Sequence, residues 1–122
     1  MPAPPSAEGP RREAQARAHL EAQGLRFRAA NVRYRFGELD LVMDAGEMLV
    51  FVEVRYRRSA SHGGALASIG AAKRQRLWQA AQAYLAANPA LAKRPCRFDV
   101  VAIEGQGESE RLHWLQHVLE SA

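Results

Sequence analysis

Residues 37–57 read GELDLVMDAGEMLVFVEVRYR, two extended apolar runs separated by a short turn around Ala45 and Gly46. That pattern predicts an antiparallel hairpin. Over residues 49–54 of the second run, both alternating faces are apolar except at Glu53. Such a strand belongs at the centre of a sheet, covered on both sides. Side chains alternate with period two, so Glu38 and Asp40 share one face of their strand and Glu53 shares a face with Arg55. Hairpin parity leaves two registers: Asp40 opposite Glu53, or Glu38 opposite Glu53 with Asp40 on the diagonal. Either brings the carboxylates within reach of one cation.

Upstream, RREAQARAHLEAQG (11–24) reads as a helix of alanines and long polar residues, with Pro10 in its first turn and Gly24 as its stop. The ten residues before it carry four of the six prolines together with Gly and Ser. That composition is expected to form a disordered tail, which leaves residues 11–122 as a single domain. LRFRAANVRYRF (25–36) alternates apolar and basic residues, the pattern of a strand with a basic face. Downstream comes a Ser- and Gly-rich loop at 59–64, then a helix over 68–88. There Leu77, Ala80, Ala81, Tyr84 and Leu85 recur at three and four residues until Pro89 ends the run. RFDVVAIEG (97–105) reads as another buried strand, and RLHWLQHVLESA (111–122) fits either strand or helix. The order α, β, β, β, α, β places the chain in the α/β class, a mixed central sheet flanked by helices.

At 122 residues, 48% of them hydrophobic, the chain is long enough to bury a core of its own. No apolar run approaches the roughly 20 residues of a membrane span, and the first ten residues lack the apolar stretch of a secretory signal. A cytoplasmic protein with no membrane partner is expected. The lone Cys96 fits a reducing compartment and reads as a small apolar filler. Charge is unevenly distributed: residues 11–97 hold 16 bases against 7 acids, a net +9, whereas residues 98–122 hold Arg111 against five acids, a net −4. The first four-fifths of the chain therefore suits a polyanion. Only Lys73 and Lys93 among the 17 bases are lysines; guanidinium suits bidentate phosphate contact, although arginine-rich codon usage gives the same bias.

Carboxylates opposed across a sheet repel, and an unpaired carboxylate in a covered strand is costly, so something must neutralise Asp40 and Glu53. A divalent cation such as Mg²⁺, which takes carboxylate oxygens and keeps waters for a substrate phosphate, would do so. The plainer reading pairs Glu53 with Arg55 or another arginine at a sheet edge; the apolar residues on both sides of Glu53 favour a site. Glu13, on the helical face of Ala16 and Leu20, and Lys73, on the face of Leu77, Ala80 and Tyr84, stand at the N-terminal ends of core-facing stripes. Taken alone, Glu13 reads as a first-turn acid and Lys73 as a snorkelling side chain. His113 and His117 have helical i, i+4 spacing but no third ligand nearby, which makes them surface histidines. The glycines lack phosphate-loop spacing, so nucleotide hydrolysis of that kind is not expected.

In order, Glu13, Asn31-Val-Arg33, Gly37-Glu38-Leu39-Asp40-Leu41, Phe51-Val-Glu53-Val-Arg55-Tyr-Arg57, Lys73 and Arg97-Phe98-Asp99-Val100-Val101 resemble the YraN-like family of uncharacterised bacterial proteins over residues 11–104. That family is similar to the PD-(D/E)XK, restriction-endonuclease-like nuclease superfamily and to archaeal Holliday junction resolvases. The resemblance implies an αβββαβ core in which Asp40 is the first metal-binding acid, Glu53 the acid of the Glu-x-Lys element, and Glu13 a further metal ligand from the first helix. Arg55 stands where the motif has lysine. Arginine supplies charge and donors but stays protonated and cannot be a base. Lys73, from the following helix, is then the candidate substitute.

These readings combine in a nuclease, or a protein derived from one, that acts on structured or damaged DNA with Mg²⁺ or Mn²⁺ at Asp40 and Glu53. DNA is favoured over RNA, Arg33, Arg35, Arg57, Arg58 and Arg74 supply backbone contacts, and junction-cutting relatives raise the expectation of a homodimer. Arg55 motivates a catalytically inactive nucleic-acid binder as the alternative, and the acidic C-terminal fifth motivates a protein-interaction module. The net +9 of residues 11–97 predicts duplex binding that falls steeply between low and moderate salt in fluorescence titrations, because counterions are released. An affinity indifferent to salt would contradict it.

Overall fold

The computed structural model of the protein describes residues 5–58 and 69–119. Helix α1 (Pro5–Ala22) leads into the strands β1 (Arg26–Tyr34), β2 (Gly37–Ala45) and β3 (Met48–Arg57). Then come helix α2 (Ala71–Ala87), β4 (Cys96–Glu104) and β5 (Arg111–Leu115). The strands form one sheet in sequence order. All neighbours are antiparallel except β3 and β4, which run parallel with α2 in the crossover between them. The expected αβββαβ order is present, and β5 adds an edge strand.

The β2–β3 hairpin pairs Ala45 with Met48 and Leu41 with Val52, so its register runs towards Asp40 opposite Glu53. Gly46 takes the positive φ, 61°, that a two-residue primed turn needs. Strand β3 is central and buried from Leu49 to Glu53, as its apolar faces require. Alternate residues feed two cores. Val50 and Val52 meet Ala16 and Leu20 of α1, with Leu41, Met43, Val101 and Ile103. Leu49 and Phe51 meet Leu77, Ala80, Ala81 and Tyr84 of α2, with Val42, Phe98 and Val100. One helix on each face gives three layers, and each fully buried Leu, Val or Phe contributes about 1.5–3 kcal/mol.

Local boundaries differ from the sequence expectation in three places. Helix α1 begins at Pro5, within the segment expected to be disordered; Pro5 holds the first helical position, where a missing N–H costs nothing, and Pro10 lies inside the helix. The second helix begins at Ala71, after an extended Gly70; Ser68 and the loop at 59–64 lie outside the described residues. The ambiguous C-terminal segment is the strand β5, which pairs Val101 with Trp114, so His113 and His117 share no helical face and both are exposed. Cys96 packs partly buried against the α2-side core, as a filler would.

Asp99, fully buried on β4, binds the end of the chain to the sheet. Its carboxylate accepts bonds from Arg97 Nε (3.0 Å), Trp114 Nε1 (2.9 Å) and the His117 backbone N–H (3.0 Å). Removing the acceptor strands an arginine and two neutral donors. Asp99→Ala is therefore expected to lower the unfolding free energy by about 3–5 kcal/mol in urea titrations, against about 0.5 kcal/mol or less for the exposed Glu108→Ala. Equal effects of the two substitutions would disprove this role.

Candidate functional site

The pleat of β2 breaks at Asp40. Leu39 belongs to the α2-side core and Leu41 to the α1-side core, although strict alternation would put both on one face. Opposite this point on β1, between the pairs Ala30–Leu41 and Val32–Leu39, Asn31 has a φ of 52°. Asparagine is among the few side chains that tolerate that region. The β2–β3 ladder ends at Leu41 and Val52, and beyond it the Val54 N–H donates to Asp40 Oδ2 at 2.8 Å. A side chain thus takes the place of a backbone acceptor, and the two strands part there.

Four carboxyls converge on the opening. Glu13, Glu38 and Asp40 each present an oxygen within 4.8 Å of the others. Burial and the Asp40 charge raise the Glu13 carboxyl to about 7, while a bond from the Asn31 side chain opposes the rise. Burial and the facing Glu53 raise the Asp40 carboxyl to about 8, against the pull of the Val54 N–H. Glu53, only 3% exposed, stands beside Lys73 Nζ (3.4 Å) and Arg55 Nε (3.7 Å), both on its Oε2. Its Oε1 is buried and has no hydrogen-bond donor among the described residues.

The structure therefore brings Glu13, Asp40, Glu53, Arg55 and Lys73 together. Lys73 reaches the cluster because it begins the α2 stripe that continues through Leu77 and Ala80. Glu38 and Asn31 also belong to it. Glu38 was visible on the face shared with Asp40, and Asn31 could have been suspected from its tolerance of positive φ. Arg33, Arg35, Arg57, Arg58 and Arg74 are all exposed. Arg33 lies against Glu38 at 3.3 Å, and Arg58 donates to the Gln106 side chain. A cleft of about 630 Å³ lined by Arg11, Arg12, Tyr56, Arg58, Gln106 and Glu110 opens beyond the end of β3.

The donor set fits a hard divalent cation: oxygen ligands only, several of them close together, and a buried oxygen without a donor. In the ion's absence the repulsion is met by protons, since Asp40 and Glu13 both bind them more tightly than usual.

Residues 12–103 match the model of the Uncharacterised protein family UPF0102. A UPF0102 protein of Xanthomonas campestris pv. campestris is 59% identical over 116 residues, covering 95% of this chain and 93% of its own length. One from Pseudomonas entomophila is 50% identical over 119 residues, 97% of each chain. Arrangement and relatives together define an α/β protein of a bacterial family with an acid cluster in a parted sheet. The chain belongs to the UPF0102 family. No helix among its described residues is long and apolar enough to cross a membrane.

Because the folded pKa values of Asp40 and Glu13 lie above the ordinary ones, their contribution to stability is complete below about pH 4 and is lost as pH rises through about 7 to 8. Thermal melts in EDTA should show wild type losing stability between about pH 5 and about pH 9, with Asp40→Asn losing distinctly less. Equal losses for the two proteins would show that Asp40 is not the group responsible.

Proposed function

We propose that the protein is a metal-dependent nuclease of the PD-(D/E)XK type, acting on structured or damaged DNA in the bacterial cytoplasm. The observation that carries this reading is the buried Glu53, one oxygen flanked by Lys73 and Arg55 and the other without a donor, facing Asp40 where β2 and β3 part. Asp40, Glu53 and Glu13 would hold Mg²⁺ or Mn²⁺, with Glu38 beside them. When bound, such an ion supplies charge stabilisation and an acidified water for attack on phosphorus. The protein's own groups do the rest. Glu53 holds the two cations at fixed positions at the mouth of the cluster, where they can bind the non-bridging phosphate oxygens and the charge that develops there. The Val54 N–H fixes Asp40. Arg33, Arg35, Arg57, Arg58 and Arg74 hold the backbone without reading sequence.

Arg55 favours a second reading, a nucleic-acid binder that has lost cleavage, because a permanently charged guanidinium replaces the motif lysine. Lys73, 3.4 Å from Glu53, supports the first reading, since its ammonium offers the missing charge from α2.

Purified protein incubated with branched, single-stranded and plasmid DNA should cut at least one of them with Mn²⁺ and none in EDTA. Asp40→Asn and Glu53→Gln should abolish cutting, and Lys73→Ala should slow it by about 10²–10³-fold. If Arg55→Lys raises the rate while Lys73→Ala leaves it unchanged, Arg55 holds the working position and the natural protein is a weakened nuclease. No cleavage of any substrate, together with DNA binding by Asp40→Ala equal to wild type, would leave the binder reading in its place.

A further inference from the structure

Phe36 is the one large hydrophobic side chain exposed among the described residues, at 42%. Its ring stacks on Tyr34, centroids 5.8 Å apart and planes 9° from parallel, and Tyr34 packs against the α2-side core. Tyr34 pairs with Gly37, so Arg35 and Phe36 are the central residues of a two-residue hairpin turn. Neither Arg35 nor Phe36 has positive φ, so the turn accepts most side chains and does not itself call for an aromatic. Polar residues would serve the turn equally well, so the exposed Phe36 ring needs a reason outside the turn. The tip is also braced, since a Cβ on Gly37 would lie 2.7 Å from the Arg76 carbonyl oxygen of α2.

Its position relative to the acid cluster follows from the same elements. Asp40 is four residues along β2 from Phe36, about 13 Å at strand rise, and Glu38, between them, is within 4.8 Å of Asp40 and Glu13. On α2, Arg76 lies one turn beyond Lys73, which touches Glu53. Arg33 and Arg35, exposed, flank Tyr34 in sequence, and exposed Arg76 lies on α2 where its backbone backs Gly37. A flat, preset aromatic face among arginines, one or two nucleotide steps from a phosphate site, is what binds an unstacked base.

We propose that Tyr34 and Phe36 form a stacking platform for an unpaired nucleobase of the strand held at the acid cluster, which makes the protein selective for frayed, branched or single-stranded DNA over intact duplex. The proposal rests on the reading of the cluster as a phosphodiester site. A paired base presents no free face, so duplex gains nothing from the platform. Single strands and fork junctions do.

The test is anisotropy titration of the full chain in EDTA with three dye-labelled probes of shared sequence: a single strand, a forked duplex and a blunt duplex. Phe36→Leu keeps apolar bulk without a π face and should weaken single-strand and fork binding by about tenfold, with blunt-duplex affinity changed by less than about twofold. Phe36→Trp should bind the single strand at least as well as wild type. Equal affinities of Phe36→Leu and wild type for the single strand, or equal losses on all three probes, would overturn the platform and leave the nuclease reading standing, with the tip assigned to a protein partner. If the wild type binds none of the probes even at low salt, both readings fall together.

Discussion

The bond from the Val54 N–H to Asp40 Oδ2 is the constraint on which the rest of the site depends. In a regular hairpin that N–H would find a backbone carbonyl on β2, and the two strands would stay zipped. Here a carboxylate answers it, so the ladder can end at Leu41 and Val52 without leaving a buried donor unpaired. The same bond holds Asp40 at the point where the pleat changes phase, with the side chain of Leu39 going to one core and that of Leu41 to the other. The strands part between two interior strands of the sheet rather than at an edge strand, where side chains from the helices on both faces can reach.

Both do. Glu13 enters from α1 and Lys73 from α2, while Glu53 sits deep enough that its charge must be answered locally. Cations at Oε2 answer half of it. Oε1 is buried without a partner among the described residues, and the neighbouring Asp40 has a raised proton affinity. Carboxyl oxygens within 4.8 Å of one another on partly buried side chains repel strongly, so protons or a cation are needed between them. Proton and metal therefore compete for the same oxygens, and the sheet around them is stable enough to bear the conflict because Phe51, Phe98 and the valines beside them are fully buried.

Much of this was legible in the sequence, for identifiable reasons. Glu53 stood out because it interrupts an apolar run on both faces, a pattern that only a central strand explains. Asp40 followed from hairpin parity, which put it within reach of Glu53 in either register. Lys73 at the head of the α2 stripe read alone as a snorkelling side chain, and only the family resemblance made it a candidate. The phase change at Asn31 and Asp40 was not legible, because period-two alternation assumes an unbroken pleat. The start of α1 was hidden by its prolines, which mark a boundary when read locally but sit at and inside the helix here. Strand β5 could not be assigned because RLHWL alternates over too few residues to exclude a helix; the observed answer comes from tertiary bonds, Trp114 and His117 to Asp99.

Those bonds also change the meaning of the acidic C-terminal fifth. Read as composition, it offers a negative surface to a protein partner. In the fold, Asp99 is wholly buried among its donors. Glu110 accepts bonds from Arg12 and Gln15, which hold its carboxyl below the ordinary range. Arg12 in turn lies over the Tyr56 ring at 3.8 Å, so Glu110 ties β5 and α1 to the end of β3. Two of the acids that made the segment look like an interaction surface are fastening it to the domain. The positive charge of residues 11–97 is only partly answered by them, since the arginines around the β1–β2 tip and at the end of β3 remain exposed. A polyanion meeting this protein would thus encounter cations on the elements that frame the acid cluster, while Asp99 and Glu110 act from within.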